Sequence, residues 1–224
     1  MSKNLISRVF TSLLLLSILF LCLFLNKYAW LLLMIITSII SFFEFNNLIK
    51  KIWKNKEFTK NFIKLSCFFY LLLFIYSAYF IYEISLLGII IILSICIFSD
   101  IGGYVVGKTI GGKKLIKISP NKTISGTIGS FLFSLIPIGI FFIIYNYTNN
   151  SLFYLSEPLI EIIFFSLAIS LICQLGDLLI SYFKRKAKVK DTGTILPGHG
   201  GLLDRIDGII FGMPFGLLLL ILFF

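Results

Sequence analysis

Seven apolar runs, near residues 10–25, 28–43, 65–82, 84–98, 128–147, 159–180 and 209–224, occupy most of this chain. Several approach the roughly 20 residues a helix needs to cross bilayer hydrocarbon. Backbone in lipid must satisfy its own N–H and C=O groups, so a span is either a helix or a strand of a closed barrel. Barrel strands alternate apolar and polar residues over about ten positions, and the stretch LLLLSILFLCLFL at 13–25 does not. The expected fold is all-α: a polytopic integral membrane protein with about seven transmembrane helices, in a range of about six to nine. Only 13% of the residues are charged, against about a quarter in soluble domains, which excludes that class.

The first run follows Lys3 and Arg8 as a signal peptide would. No small-residue cleavage site precedes the next run, so it reads as a membrane helix. A net charge of +10 would suit nucleic acid, but its distribution argues for a bilayer, and no nucleic-acid partner is expected. With the N-terminus inside, nineteen of the twenty Lys and Arg residues fall on one side, Lys27 being the exception. That is the positive-inside bias of a cytoplasmic face. It places both long polar segments, 99–127 and 181–207, on that face, so active-site loops of an inner (cytoplasmic) membrane protein are expected to face the cytoplasm. Cys22, Cys67, Cys96 and Cys173 lie inside apolar runs and read as packing residues.

Two regions differ in character. Residues 1–98 read as hydrophobic helices with one Lys-rich cytoplasmic loop, KKIWKNKEFTKNFIK at 50–64, suited to anionic headgroups or simply to setting topology. Residues 99–224 carry the polar motifs. Glycines 102, 103, 107, 111 and 112 predict a loop in which backbone approaches a ligand closely. Within it GGYVVGKT, at 102–109, satisfies the nucleotide-binding pattern GxxxxGK[ST]. That pattern works between a strand and a helix of an α/β core, which this chain has no elements to build. Pro137 and Gly139 predict a kink in the helix that follows. The run at 159–180 continues into a polar stripe: Gln174, Asp177, Ser181, Lys184 and Arg185 fall within an arc of about 100° on a helix. A carboxylate at membrane depth is a functional candidate by default; the plainer alternative is an ion pair of Asp177 with Lys184 or a contact with Ser181.

The densest chemistry lies in SYFKRKAKVKDTGTILPGHGGLLDRID at 181–207. Charge beside hydrocarbon costs several kcal/mol per group unless paired or ligand-bound. Ser181, Phe183, Lys184, Arg185, Lys190, Asp191, Gly193, Pro197, His199, Gly200, Gly201, Asp204, Arg205 and Asp207 follow one another in an order and spacing that resembles the phosphatidate cytidylyltransferase (CDP-diacylglycerol synthase) family. Gln174-Leu-Gly-Asp177-Leu upstream is similar to that family too. So is the block from Asp100 through Gly103-Tyr104, Gly112-Lys113-Lys114-Leu115 and Ile118-Ser119-Pro120-Asn121-Lys122-Thr123. The likeness covers roughly residues 99–224. It departs at Ile124-Ser125, where family members usually carry Trp-Glu, and at Gly208, where Ser is common.

The resemblance implies transfer of CMP from CTP to phosphatidic acid, giving CDP-diacylglycerol and pyrophosphate, in phospholipid biosynthesis. The nucleophile is already an anionic phosphate oxygen, so the demand is for positioning and charge neutralisation rather than a strong base. On that resemblance Ser181, Lys184, Arg185, Lys190, Asp191, His199 and Arg205 form the catalytic set. Asp100, Ser119, Pro120, Lys122, Gly200 and Gly201 bind nucleotide or phosphate. Asp177 and Asp204, then Asp207, bind Mg²⁺, with a second cation allowed; the competing reading pairs Asp204 and Asp207 with Lys184 or Arg205. Mg²⁺ favours one or two carboxylates together with substrate phosphates. Lys186 and Lys188 read as surface charges. CTP, phosphatidic acid and the bilayer are the expected partners, and a homodimer is admitted. The rival functions are a CTP-dependent lipid-alcohol (polyprenol-type) kinase and, further off, a membrane transporter.

Overall fold

The computed structural model describes residues 3–116, 119–149, 159–198 and 200–223. It holds eight helices: α1 (Lys3–Leu25), α2 (Lys27–Ile52), α3 (Glu57–Ile84), α4 (Leu86–Thr109), α5 (Ile124–Ser134), α6 (Ile136–Asn149), α7 (Leu159–Lys186) and α8 (Leu203–Phe223). A small antiparallel hairpin, β1 (Lys114–Ile116) and β2 (Ser119–Thr123), joins α4 to α5. Among the described residues six spans are long and apolar enough to cross a membrane, α5 and α6 counting together as one, and Phe10–Leu25 adds a shorter apolar helix. The chain is an all-helical, multi-pass membrane protein, as expected.

The chain divides into two compact units, Met1–Ile84 with Leu179–Asp207, and Ser85–Leu178 with Gly208–Phe224. In the first, α1, α2 and α3 are tied by polar contacts where lipid offers none. The Trp30 indole N–H donates to the Ala78 carbonyl at 3.0 Å, and the Tyr82 hydroxyl donates to the Leu23 carbonyl at 3.2 Å. Asn26 caps α2 by accepting from the Ala29 amide. Lys27 beside that cap pairs with Glu83 at the end of α3, at 2.7 Å. The Lys-rich segment 50–64 is mostly helical rather than a loop, because α2 runs to Ile52 and α3 starts at Glu57.

In the second unit the principal correction concerns residues 99–127. No loop begins at Ser99; α4 continues for another ten residues, to Thr109. A side chain at Gly103 would meet the Ser130 hydroxyl at 2.6 Å, and one at Gly129 would meet Val106 at 2.5 Å. Gly102, Gly103 and Gly107 therefore let α4 and α5 approach backbone to backbone through small residues, as membrane helices do. The GGYVVGKT segment lies inside α4, its amides engaged in the helix, so it cannot wrap phosphate as a P-loop does. Of the five glycines at 102–112, only Gly111 (φ 64°) and Gly112 (φ 103°) adopt the left-handed conformation that glycine permits, where α4 turns into the hairpin.

The expected kink is a break at Leu135 between α5 and α6, just before Pro137. Proline tolerates the first turn of a helix but not its interior. The Ser134 carbonyl at the break accepts from the Ser166 hydroxyl of α7 at 2.6 Å, so the interruption leaves that group satisfied. Cys96 and Cys173 are buried, their thiols 2.9 Å apart and close to Gly212, as packing residues should be.

Candidate active site

The polar end of α7 belongs to the first unit and is set by its termination. The Lys188 amide donates to the Arg185 carbonyl and the Val189 amide to the Lys184 carbonyl, each at 3.0 Å, with Lys188 in the left-handed region at φ 57°. This is a Schellman closure, which satisfies carbonyls that a helix end would otherwise leave open. The aromatic rings of Phe45 and Trp53 flank Phe183, and the Lys186 ammonium sits 4.5 Å from the Trp53 ring centre. These contacts fasten the last turns of α7 against α2.

Beyond α7 the chain reverses. Leu196 and Gly200 exchange two backbone hydrogen bonds, of 2.9 and 3.1 Å, closing the turn that carries Pro197 and Gly198. Gly198 (φ 77°) and Gly200 (φ 87°) take conformations other residues resist. The turn delivers Gly201 to the start of α8, and α8 presents Asp204 in its first turn.

Asp204 is the hub. Its Oδ1 accepts from the Lys184 ammonium at 2.7 Å. Its Oδ2 accepts from the Thr192 amide at 2.7 Å, the Thr192 hydroxyl at 3.0 Å and the Gly201 amide at 3.2 Å. The side chains of Lys184 and Asp204 are 15% and 6% exposed, so the pair is shielded from solvent and its hydrogen bonds are stronger for it. Arg185, Lys190, Asp191 and Arg205 are exposed on the same segment, Ser181 is half-buried in α7, and Asp207 is buried in α8.

In the second unit the Lys122 ammonium lies 2.5 Å from Asp177 Oδ2 and reaches the Gln174 carbonyl at 3.4 Å. Asp177 thus has a cationic partner on β2. Thr123 caps α5 by accepting from the Gly126 amide, and the Ser125 hydroxyl donates to the Gly111 carbonyl. Ser125, which stands where the family usually has Glu, helps close the base of the hairpin. Ser119 is half-buried at the start of β2, while Asp100 is exposed on α4 rather than in a loop. The side chain of Pro120 and all of His199 lie outside the described residues.

The segment thus brings together Lys184, Asp204 and Gly201, and sets Gly200 against Asp191. Gly201 donates its amide to Asp204, so its immediate task is to hold a carboxylate. Among the described residues no three His, Cys, Asp or Glu side chains converge as a metal cage. Carboxylates are the ligand type that Mg²⁺ takes. Asp204 in the first unit and Asp177 in the second each face a lysine ammonium within their own unit.

Two residues of this network escape sequence reading. Glu44 of α2 is only 4% exposed, and its carboxylate accepts from the Leu202 amide (3.0 Å), the Leu203 amide (2.9 Å) and the Thr192 hydroxyl (2.8 Å). Residues 1–98 therefore contribute more than hydrophobic helices and a Lys-rich segment. The available signal was a lone acid in the apolar context ISFFEFNN, which membrane energetics marks as engaged. Thr192 offers no comparable signal.

The fold and this segment define a multi-pass membrane protein with a buried Lys–Asp pair beside a glycine-rich turn. Residues 53–223 match the cytidylyltransferase family, and the chain belongs to that family. It is similar to the phosphatidate cytidylyltransferase of Bacillus subtilis (strain 168), 44% identical over 126 residues, 56% of this chain and 44% of that protein. The phosphatidate cytidylyltransferase of Rickettsia bellii (strain RML369-C) is 48% identical over 126 residues, 55% of this chain and 52% of its own length. That of Staphylococcus aureus (strain COL) is 46% identical over 125 residues, covering 55% and 45%. The chain spans about half the length of these curated relatives.

Proposed function

We propose that the chain is a phosphatidate cytidylyltransferase, transferring CMP from CTP to phosphatidic acid at the cytoplasmic face of the inner membrane. The observation that carries the reading is the Lys184–Asp204 pair, built from the motif segment and seated in a glycine turn that follows a membrane helix. A phosphatidate oxygen attacks the α-phosphorus of CTP, a new P–O bond forms, and the α–β anhydride breaks to release pyrophosphate. Proton transfer is not required, because the attacking oxygen is already anionic. The obstacle is repulsion between two polyanions, which catalysis meets by positioning and neutralisation.

Lys184, Arg185, Lys190 and Arg205 supply positive charge to the phosphates, with the two arginines suited to bidentate oxygen contacts. Asp204 holds Lys184 in place, and Ser181, Asp191 and His199 belong to the same catalytic segment. Lys122, with Ser119 and Pro120 on its hairpin, Asp100, Gly200 and Gly201, serves the nucleotide. Asp177, Asp204 and, next, Asp207 would hold Mg²⁺, which when bound screens charge on the phosphates. The acyl chains of phosphatidate stay in the bilayer, so the site belongs at headgroup depth. The placement of nineteen of twenty positive charges on one side supports a cytoplasmic orientation, where CTP is available.

Purified protein supplied with phosphatidate, Mg²⁺ and labelled CTP tests the reading. α-Label entering lipid, with pyrophosphate released, is the expected result. γ-Label entering a lipid alcohol instead identifies a kinase and overturns the proposal.

A further inference from the structure

Helix α8 begins at Leu203, so the residue before its first turn is Leu202, which has no side-chain oxygen with which to cap it. The orphan amides at this end are met from elsewhere: Glu44, on α2, accepts from both Leu202 and Leu203. A buried carboxylate is costly unless hydrogen-bonded, and the positive end of a helix is a favourable place for it. Glu44 also shares the Thr192 hydroxyl with Asp204, at 2.8 and 3.0 Å. One side chain from outside the motif therefore holds both ends of the motif turn.

The glycines of that turn carry an independent record of the same arrangement. A side chain at Gly193 would meet Glu44 Oε1 at 2.5 Å. One at Gly201 would collide with Glu44 Oε2 and the Thr192 hydroxyl. Neither glycine has a positive φ, so conformational freedom does not explain them. Glu44 fills the space a side chain would need at Gly193, and at Gly201 it does so together with Thr192 and the Gly193 backbone; Glu44 itself lies upstream of the region matched to the family.

The geometry points to Glu44 as a positioning residue: acting through Thr192 and the amides of Leu202 and Leu203, it holds the 192–203 turn so that Asp204 and Lys184 keep their relative placement. The inference rests on the reaction proposed above. Glu44 itself touches no phosphate in this role. Its removal should therefore lower turnover while leaving substrate affinity nearly unchanged.

The test compares the full-length wild type with Glu44→Gln and with Thr192→Val. The second variant leaves Glu44 bonded to its two amides and guards against a Glu44→Gln protein that fails to fold. Each variant should lose roughly ten- to a hundredfold in kcat, with KM for CTP within about threefold of wild type, because misplacing a reacting group costs rate rather than binding. The double variant should be little worse than the poorer single one, since both changes break one network. Hydrogen exchange at the Leu202 and Leu203 amides should quicken about tenfold or more in Glu44→Gln. Turnover within about twofold of wild type in Thr192→Val and in folded Glu44→Gln, or a rise in KM alone, overturns the inference. So does unchanged exchange at the two amides. A wild type that makes no CDP-diacylglycerol sinks the reaction rather than the positioning, which the exchange comparison then decides.

Discussion

The Lys184 ammonium and the Asp204 carboxylate, twenty residues apart in the chain, meet at 2.7 Å with little access to water. Lys184 rides on the last turns of α7, Asp204 on the first turn of α8, and the glycine turn between them closes the distance. A pair so enclosed stabilises the segment only while both members remain, since a lone buried charge is costly.

Replacing one member should separate chemistry from folding. Lys184→Met leaves Asp204 with its three neutral donors but no cation, and should destabilise the protein by roughly 2–4 kcal/mol in chemical unfolding. Asp204→Asn keeps the shape but leaves the Lys184 ammonium without its carboxylate, so it too should lower stability, and turnover per folded, membrane-inserted molecule should fall at least about a hundredfold. Asp177→Asn should lower turnover as much from the second unit. Near-normal turnover in both Asn variants would remove the carboxylates from the proposed metal site.

Close approach of α4 and α5 makes a second expectation. Gly103→Val drives a branched side chain into the Ser130 hydroxyl and toward the Gly126 carbonyl. Overpacking of this kind costs about 1–3 kcal/mol or more. Size-exclusion profiles in detergent should show loss of monodisperse protein at lower temperature than wild type. A variant as stable as wild type would show that the close approach of α4 and α5 does not require glycine at this position.

Lys188 holds the left-handed position of the Schellman closure, which glycine fills at much lower cost. Lys188→Gly should therefore be neutral or raise stability by up to about 1 kcal/mol, read as a higher unfolding midpoint, with turnover unchanged. A clear loss of stability would mean that the lysine side chain contributes more than its backbone strain removes.

Much of the architecture was legible in the chain, because lipid leaves few options: long apolar runs must be helices, and cations collect on one face. The extension of α7 past its apolar run to Lys186 followed from the periodicity of its polar residues. The break before Pro137 followed from that residue's missing N–H. Residues 99–109 misled because glycine is ambiguous: it permits ligand approach and helix approach equally. Only the neighbour it meets, here Gly126, Gly129 and Ser130, decides between them.

The motif at 181–207 announced itself by the density of its charges and by its spacing, which are properties of one segment. Its pairings are not properties of one segment. Asp177 meets Lys122 of the hairpin, a partner that nothing in its own segment announces. Glu44 reaches Thr192 across 148 positions of sequence, and the space it fills beside Gly193 is visible only in the folded chain. Local patterning in a membrane chain settles which segments are helices and which carry charge, because each residue answers separately to lipid or water. Which acid answers which donor is a matter of distance in the folded bundle, and that the tertiary structure alone decided.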